Sequence, residues 1–134
     1  MSERAPAGLL DTSVIIDLDL IGPEELPLAV GVSAITMAEL AAGPAASADA
    51  AESARRQDRL QRAEAAFEAI PFGSDAARAY GRVHAAVLAA GRQPRRRFAD
   101  LLIAASAVAE GLPLVTRNPQ DYAGLEELVD VIAV

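Results

Sequence analysis

Five oxygen-bearing side chains interrupt this 134-residue chain where apolar core is expected. Asp11 ends the run "GLL" and is followed at once by Thr12 and Ser13. Glu39 sits between apolar neighbours in "SAITMAELAAG", and Asp100 enters the start of "FADLLIAASA". Asn118 follows "LPLVT", with Asp121 three residues later. Taken singly, each has an ordinary role. Asp11 can cap a helix, Glu39 can face solvent, Asp100 can complement a helix dipole, and Asn118 and Asp121 are common turn residues. Taken together they point to chemistry, because carboxylates buried near one another are costly unless protons or cations compensate. With no lysine and a single histidine, His84, the chain has few compensating groups besides arginine. A divalent cation is the natural answer. Carboxylate oxygens suit Mg2+, with Mn2+ as the alternative, and such ions retain waters and bridge to substrate phosphates. On this reading Asp11 is a metal ligand, and Thr12 or Ser13 orients or caps it.

The elements that must position these groups alternate between short apolar runs and helical patterns. Leu9, Leu10 and Asp11 read as a short buried strand and Thr12 to Leu20 as a helix broken by Gly22 and Pro23. Ala29 to Val32 reads as a second strand, with Ser33 capping a helix that ends near Gly43–Pro44. Residues 44–51 are a small-residue connector, expected to be mobile. Glu52 to Ala69 reads as a helix with Leu60, Ala63, Phe67 and Ile70 on one face and Glu52/Arg56 and Asp58/Arg62 pairs opposite. Ile70 to Phe72 is a candidate strand, followed by a Ser74 cap. Ala76 to Ala90 reads as a helix burying Ala77, Tyr80, Val83, His84, Val87 and Leu88. "RRRFADLLIAASAVAEG" is nearly all apolar, hence a central buried helix. Leu112 to Thr116 is a strand, "RNPQDY" a turn, Glu126 to Asp130 a last helical turn, and Val131 to Val134 a terminal strand. This alternation argues for a single α/β domain with a parallel sheet, whose site lies beyond the carboxyl ends of its strands.

Composition narrows the function. Net charge is -7 and every basic residue is Arg, so RNA or DNA could be held only through local positive patches and a cation. The absence of Cys removes disulfides, thiolate metal sites and cysteine nucleophiles. The absence of Lys excludes a Walker-type phosphate loop, Schiff-base chemistry and a lysine-assisted phosphoacceptor. Met1 to Pro6 has no apolar segment after it of the kind a signal peptide needs, and no run is long enough to span a bilayer. A cytoplasmic protein without membrane contact is expected.

The ordered set "LLDTSVIIDL", "SAITMAELAAG", "RRRFADLLIAASAVAEG" and "LPLVTRNPQDY" closely resembles PIN-domain ribonucleases, in particular VapC-type toxins of bacterial toxin–antitoxin pairs. The likeness runs from about Leu9 to Val134. It implies a three-layer α/β/α fold with a parallel central sheet of four or five strands, residues 1–7 being a flexible extension. It also implies metal-dependent hydrolysis of RNA phosphodiester bonds. Asp11, Glu39 and Asp100 match the family's three main carboxylates, and Asn118 falls at a fourth position that is often Asp. The resemblance implies that Asp11 and Asp100 hold Mg2+, while Glu39 and Asn118 act through water or orient the nucleophile. Thr116 matches a hydroxyl found before the fourth position, and Asp121 is the alternative fourth acid. Arg97, within the triplet Arg95 to Arg97, and Arg117 beside Asn118 are candidates for gripping substrate phosphate. A cognate VapB-type antitoxin, a homodimer and a toxin–antitoxin hetero-oligomer are implied as assemblies. The alternative is a catalytically weak PIN-like module that binds metal or RNA, for which Asn118 is the main argument.

Overall fold

Adjacent leucines in the first strand face opposite ways. In the computed structural model, which describes residues 4–134, strand β1 (Ala7–Leu10) sends Leu9 into one core and Leu10 into another. Successive side chains of a strand point to opposite faces, so a strand that is apolar at every position must be covered on both sides. Beside it lie β2 (Ala29–Ser33), β3 (Ala69–Ile70), β4 (Leu114–Thr116) and β5 (Val131–Ala133). All pair in parallel, in the order β3-β2-β1-β4-β5. Helices α4 (Ser74–Ala89) and α5 (Phe98–Glu110) cover the Leu9 face, where Ala79, Val83, Leu101, Ile103 and Leu114 are buried. Helices α1 (Thr12–Ile16) and α3 (Ala50–Ala66) cover the other, with Val14, Ile15, Ala63 and Val115. Helix α2 (Ala34–Ala42) serves both, Ile35 touching the first core and Leu40 the second. The expected three-layer architecture is present, with five strands.

Several boundaries differ from expectation. The helix expected over 12–20 is α-helical only to Ile16 and ends in a 3-10 turn at Leu18–Leu20. In the 44–51 connector, Pro44–Ala46 forms a 3-10 turn and α3 already begins at Ala50; the Ser53 hydroxyl and Arg56 guanidinium donate to the Pro44 and Gly43 carbonyls. Helix α4 opens on Gly73 without a Ser74 cap, and it buries Ala76, Ala79, Val83 and Val87, while Ala77 and Leu88 are exposed. The arginine triplet lies in a 3-10 turn (Pro94–Arg97) ahead of α5, which begins at Phe98. Residues 126–128 form a turn instead of the expected helical turn over 126–130. Of the expected extension, residues 1–3 lie outside the described residues. Residues 4–7 are tied down: Ala7 is in β1, and the Arg4 guanidinium donates to the carbonyls of Pro23 and Leu26. Among the described residues no helix is long and apolar enough to cross a membrane.

Two glycines aim the segment that completes the site. Gly111, at φ 67°, closes α5 in a left-handed cap. Its N–H donates to Val108 O, and the Leu112 N–H donates to Ala107 O, which turns the chain into β4. After β4 comes a 3-10 turn, Pro119–Tyr122, and then Gly124 at φ 97°. A Cβ on Gly124 would stand 2.9 Å from the Ala90 Cβ. Gly124→Ala therefore combines left-handed strain with a clash, and it is expected to cost about 1–2 kcal/mol or more. Urea unfolding of the variant checks this; an unchanged midpoint would contradict it.

Candidate active site

Strand β1 ends at Leu10 and hands the chain directly to α1. Asp11 is the N-cap of that helix: its Oδ1 accepts from the Val14 N–H at 3.3 Å and from the Ser13 hydroxyl at 2.5 Å. Its other oxygen, Oδ2, accepts from the Tyr122 hydroxyl at 2.8 Å. Asp11 and Tyr122 are both buried. The two meet because β4 pairs with β1, Leu10 opposite Val115, so the turn after β4 passes over the end of β1.

Hydroxyls and backbone amides fix the surroundings. The Thr12 hydroxyl donates to Glu39 Oε1 at 2.6 Å and lies 3.1 Å from the Thr36 hydroxyl. Ser13 Oγ, besides donating to Asp11, accepts from the Arg117 N–H at 3.1 Å and lies 3.5 Å from Thr116 Oγ1. Thr116 Oγ1 in turn accepts from the Asn118 N–H at 2.9 Å. Among the described residues, no buried side-chain nitrogen or oxygen lacks a partner.

Asp100, in the first turn of α5, is half-buried and feels the whole acidic group. Burial, followed by the charges of Asp121, Glu39 and Asp11, pushes its pKa up to about 6 against the opposing pull of Arg97. The same surroundings act on Tyr122, whose phenol is held protonated by burial and by the neighbouring Asp11 and Asp100. Asp121 forms an ion pair with Arg97, at 3.2 Å.

The expected residues thus converge from separate elements onto the carboxyl edge of the sheet. Glu39 comes from the middle of α2. Asn118 contributes its backbone N–H to the Thr116 hydroxyl, whereas Asp121 is the charge felt most strongly by Asp100. Arg117 reaches the site through its N–H, and its guanidinium pairs with Asp17 at 3.3 Å. Arg97 lies beside a cavity of about 300 Å3 that Arg92 and Arg96 also line. His84 stands apart on α4, its Nδ1 3.4 Å from the Tyr80 hydroxyl.

The sequence and fold have counterparts among known proteins. The PIN domain family profile matches residues 8–123. The chain belongs to the PIN-domain family. It is 35% identical to Ribonuclease VapC5 of Mycobacterium tuberculosis over 134 aligned positions, covering 98% of this chain and 96% of that protein. Ribonuclease VapC8 of the same organism is 38% identical over 101 positions, 75% of this chain and 89% of its own. Among solved structures, VapBC-5 of M. tuberculosis, a member of the VapBC family of toxin–antitoxin systems, superposes with a TM-score of 0.82 at 34% identity. It covers 96% of this chain and 99% of its own.

The donor set of this PIN domain suits a hard cation: only carboxylate, hydroxyl and amide oxygens converge, and neither Cys nor His enters. Among the described residues no group of three or more acidic or histidine side chains is placed to hold a metal ion, so a hard cation here would rest on one or two carboxylates and water. Tyr122 is the participant that sequence reasoning missed. Its signal was faint: a tyrosine six residues beyond a strand end, whose phenol needs a partner once buried.

Because the Asp100 carboxyl titrates higher in the folded protein than its ordinary 3.8, folding takes up a proton between about pH 3.8 and 6. This group favours folding most at low pH, and that advantage is lost as pH rises through 6. Asp100→Asn should therefore melt at the same temperature as wild type near pH 3.5 and higher above pH 6.5, both in EDTA. Melting temperatures across that range check it; a constant difference would contradict it.

Proposed function

We propose that this PIN domain is a divalent-cation-dependent endoribonuclease of the VapC toxin type, acting in the cytoplasm and neutralised by a cognate VapB-type antitoxin. The observation that carries the reading is the convergence on Asp100: three further acids, Asp11, Glu39 and Asp121, each from another segment, bear on that one half-buried carboxyl. Asp11 and Asp100 hold Mg2+, or Mn2+ in its place. Glu39, steadied by the Thr12 hydroxyl, orients the attacking water. Asp121 supplies the fourth negative charge, and Asn118 contributes a neutral amide beside it. The cation, when bound, lowers the pKa of water and offsets charge on the phosphoryl group. As the water oxygen bonds to phosphorus, the P–O bond to the departing ribose oxygen would break, and a proton given up by the water would pass through solvent to that oxygen.

RNA approaches from the α5 side, where Arg92, Arg96 and Arg97 border one cavity. Guanidinium groups grip phosphate oxygens without reading sequence. The antitoxin tail occupies the opposite side. There a groove of about 190 Å3 between α1 and α3 is lined by Ile15, Ile16, Leu18, Ala63, Ala66 and Phe67 together with Asp19, Arg59 and Arg62. Ile16 also borders the neighbouring cavity that contains Thr12 and Glu39, so a tail with an apolar stretch and a basic residue would run from groove to acid cluster. Leu88 and Phe98, each 54% exposed on α4 and α5, supply the apolar surface of a homodimer.

RNA cleavage by the purified protein should require Mg2+ or Mn2+ and stop with EDTA. Asp11→Asn and Glu39→Gln should each slow it about 100-fold or more, with circular dichroism unchanged. Cation-dependent RNA binding without cleavage would favour the binding module instead, and cleavage surviving EDTA would remove the reading. Arg96→Ala should weaken RNA binding to a cleavage-dead Asp11→Asn protein, and it should lower the slope of log K against log salt by about 0.7. An unchanged slope would move the RNA path elsewhere.

A further inference from the structure

The phenol against Asp11 has no part in the chemistry described so far, yet its placement is tightly determined. Tyr122 is 2% and Asp11 4% exposed, and the hydroxyl donates to Oδ2 at 2.8 Å. The turn carrying it is braced from both ends. The Asp121 N–H donates to Asn118 O and the Ala123 N–H to Gln120 O, while Arg92 Nη1 donates to Gln120 O at 3.0 Å. Gly124 then packs against Ala90. Asp11 Oδ1 already accepts from the Ser13 hydroxyl and the Val14 N–H. A carboxylate oxygen carries two lone pairs, so Oδ1 is fully engaged and Oδ2 keeps one pair beyond the Tyr122 bond.

We propose that Tyr122 is a positioning residue for the cation site: its hydroxyl fixes the Asp11 carboxylate so that a single lone pair, on Oδ2, is left to ligate a divalent cation. This rests on the metal-dependent reading of the site. Asp11 then acts through one oxygen, which leaves room around the cation for water and a substrate phosphate oxygen. Without the phenol the carboxylate gains a second free lone pair on Oδ2 and loses one of the three hydrogen bonds that fix its orientation, the only one of them on Oδ2. Hydrogen bonds that hold a ligating group in this way typically contribute 10–100-fold to metal affinity or activity.

The test is Tyr122→Phe in the full chain, which removes one oxygen atom and keeps the buried ring. Mn2+ binding is followed through loss of the free-ion electron paramagnetic resonance signal, beside thermal melting in EDTA. The Mn2+ dissociation constant of the variant should rise about 10–100-fold over wild type while the melt stays cooperative. An unchanged Mn2+ affinity overturns the positioning role even if the metal-free melting temperature falls, since the phenol then supports only packing. Wild-type protein that binds no Mn2+ overturns the metal reading itself, and this inference with it.

Discussion

Like charges brought together at the carboxyl edge of a parallel sheet are the constraint on which the rest of this molecule depends. Asp11, Glu39 and Asp121 all act on Asp100 in the same direction, and with burial they outweigh the one arginine that opposes them. An arrangement in which carboxylates repel one another persists only if the scaffold is stable without it. Here the scaffold is two apolar cores on either side of five strands, built largely from Leu, Val, Ile and Ala. The pairing of β4 with β1 brings Asp11 and the Asn118–Tyr122 segment to the same edge. Helices α2 and α5 deliver Glu39 and Asp100 to it.

The partners of these acids are largely neutral. Asp11 is held by two hydroxyls and a backbone amide, and Glu39 by a third hydroxyl. A hydroxyl orients a carboxylate without cancelling its charge; a guanidinium would do both, and would occupy the position a metal ion needs. The arginine pairs are few. Arg117 is tied to Asp17 at the end of α1, and Arg97 pairs with one acid of the cluster, Asp121. Charge is thereby left uncompensated at the centre, which is what recruitment of a dication requires.

How much of this was legible in the sequence depends on what kind of contrast each residue made. Asp11, Glu39 and Asp100 stood out because each interrupts an apolar stretch, and the fold class followed from strands and helices alternating along the chain. Alanine hid the rest. Ala76 and Ala77 are chemically identical neighbours, so pattern alone could not tell which one α4 buries, and the burial of Ala76 rotates the face away from Leu88. The start of α5 was misplaced because three arginines are good helix formers, so nothing in their type separates the 3-10 turn at Pro94–Arg97 from the helix that follows it. Tyr122 made no contrast at all: within "RNPQDY" it reads as the apolar end of a turn. Its role appears only when β4 is known to lie next to β1, a non-local fact that no local window contains.

The distribution of arginine reconciles an acidic chain with a polyanionic substrate. With net charge -7 the molecule as a whole repels RNA, but interactions between exposed charges are screened beyond about 8–10 Å in physiological salt. What matters at the cleft is the local set. Arg92, Arg96 and Arg97 line one cavity next to Asp121, whereas Arg55, Arg56 and Arg62 on α3 are paired with Glu52, Asp58 or Asp19 and contribute little net field. A phosphate chain entering on the α5 side therefore meets positive charge first and the acid cluster second, where a bound cation would take over the attraction. A cationic peptide meets the reverse: it is drawn by the overall charge and by the acids themselves. On the proposed reading, the same asymmetry that would admit RNA from one side would make the antitoxin tail its competitor from the other.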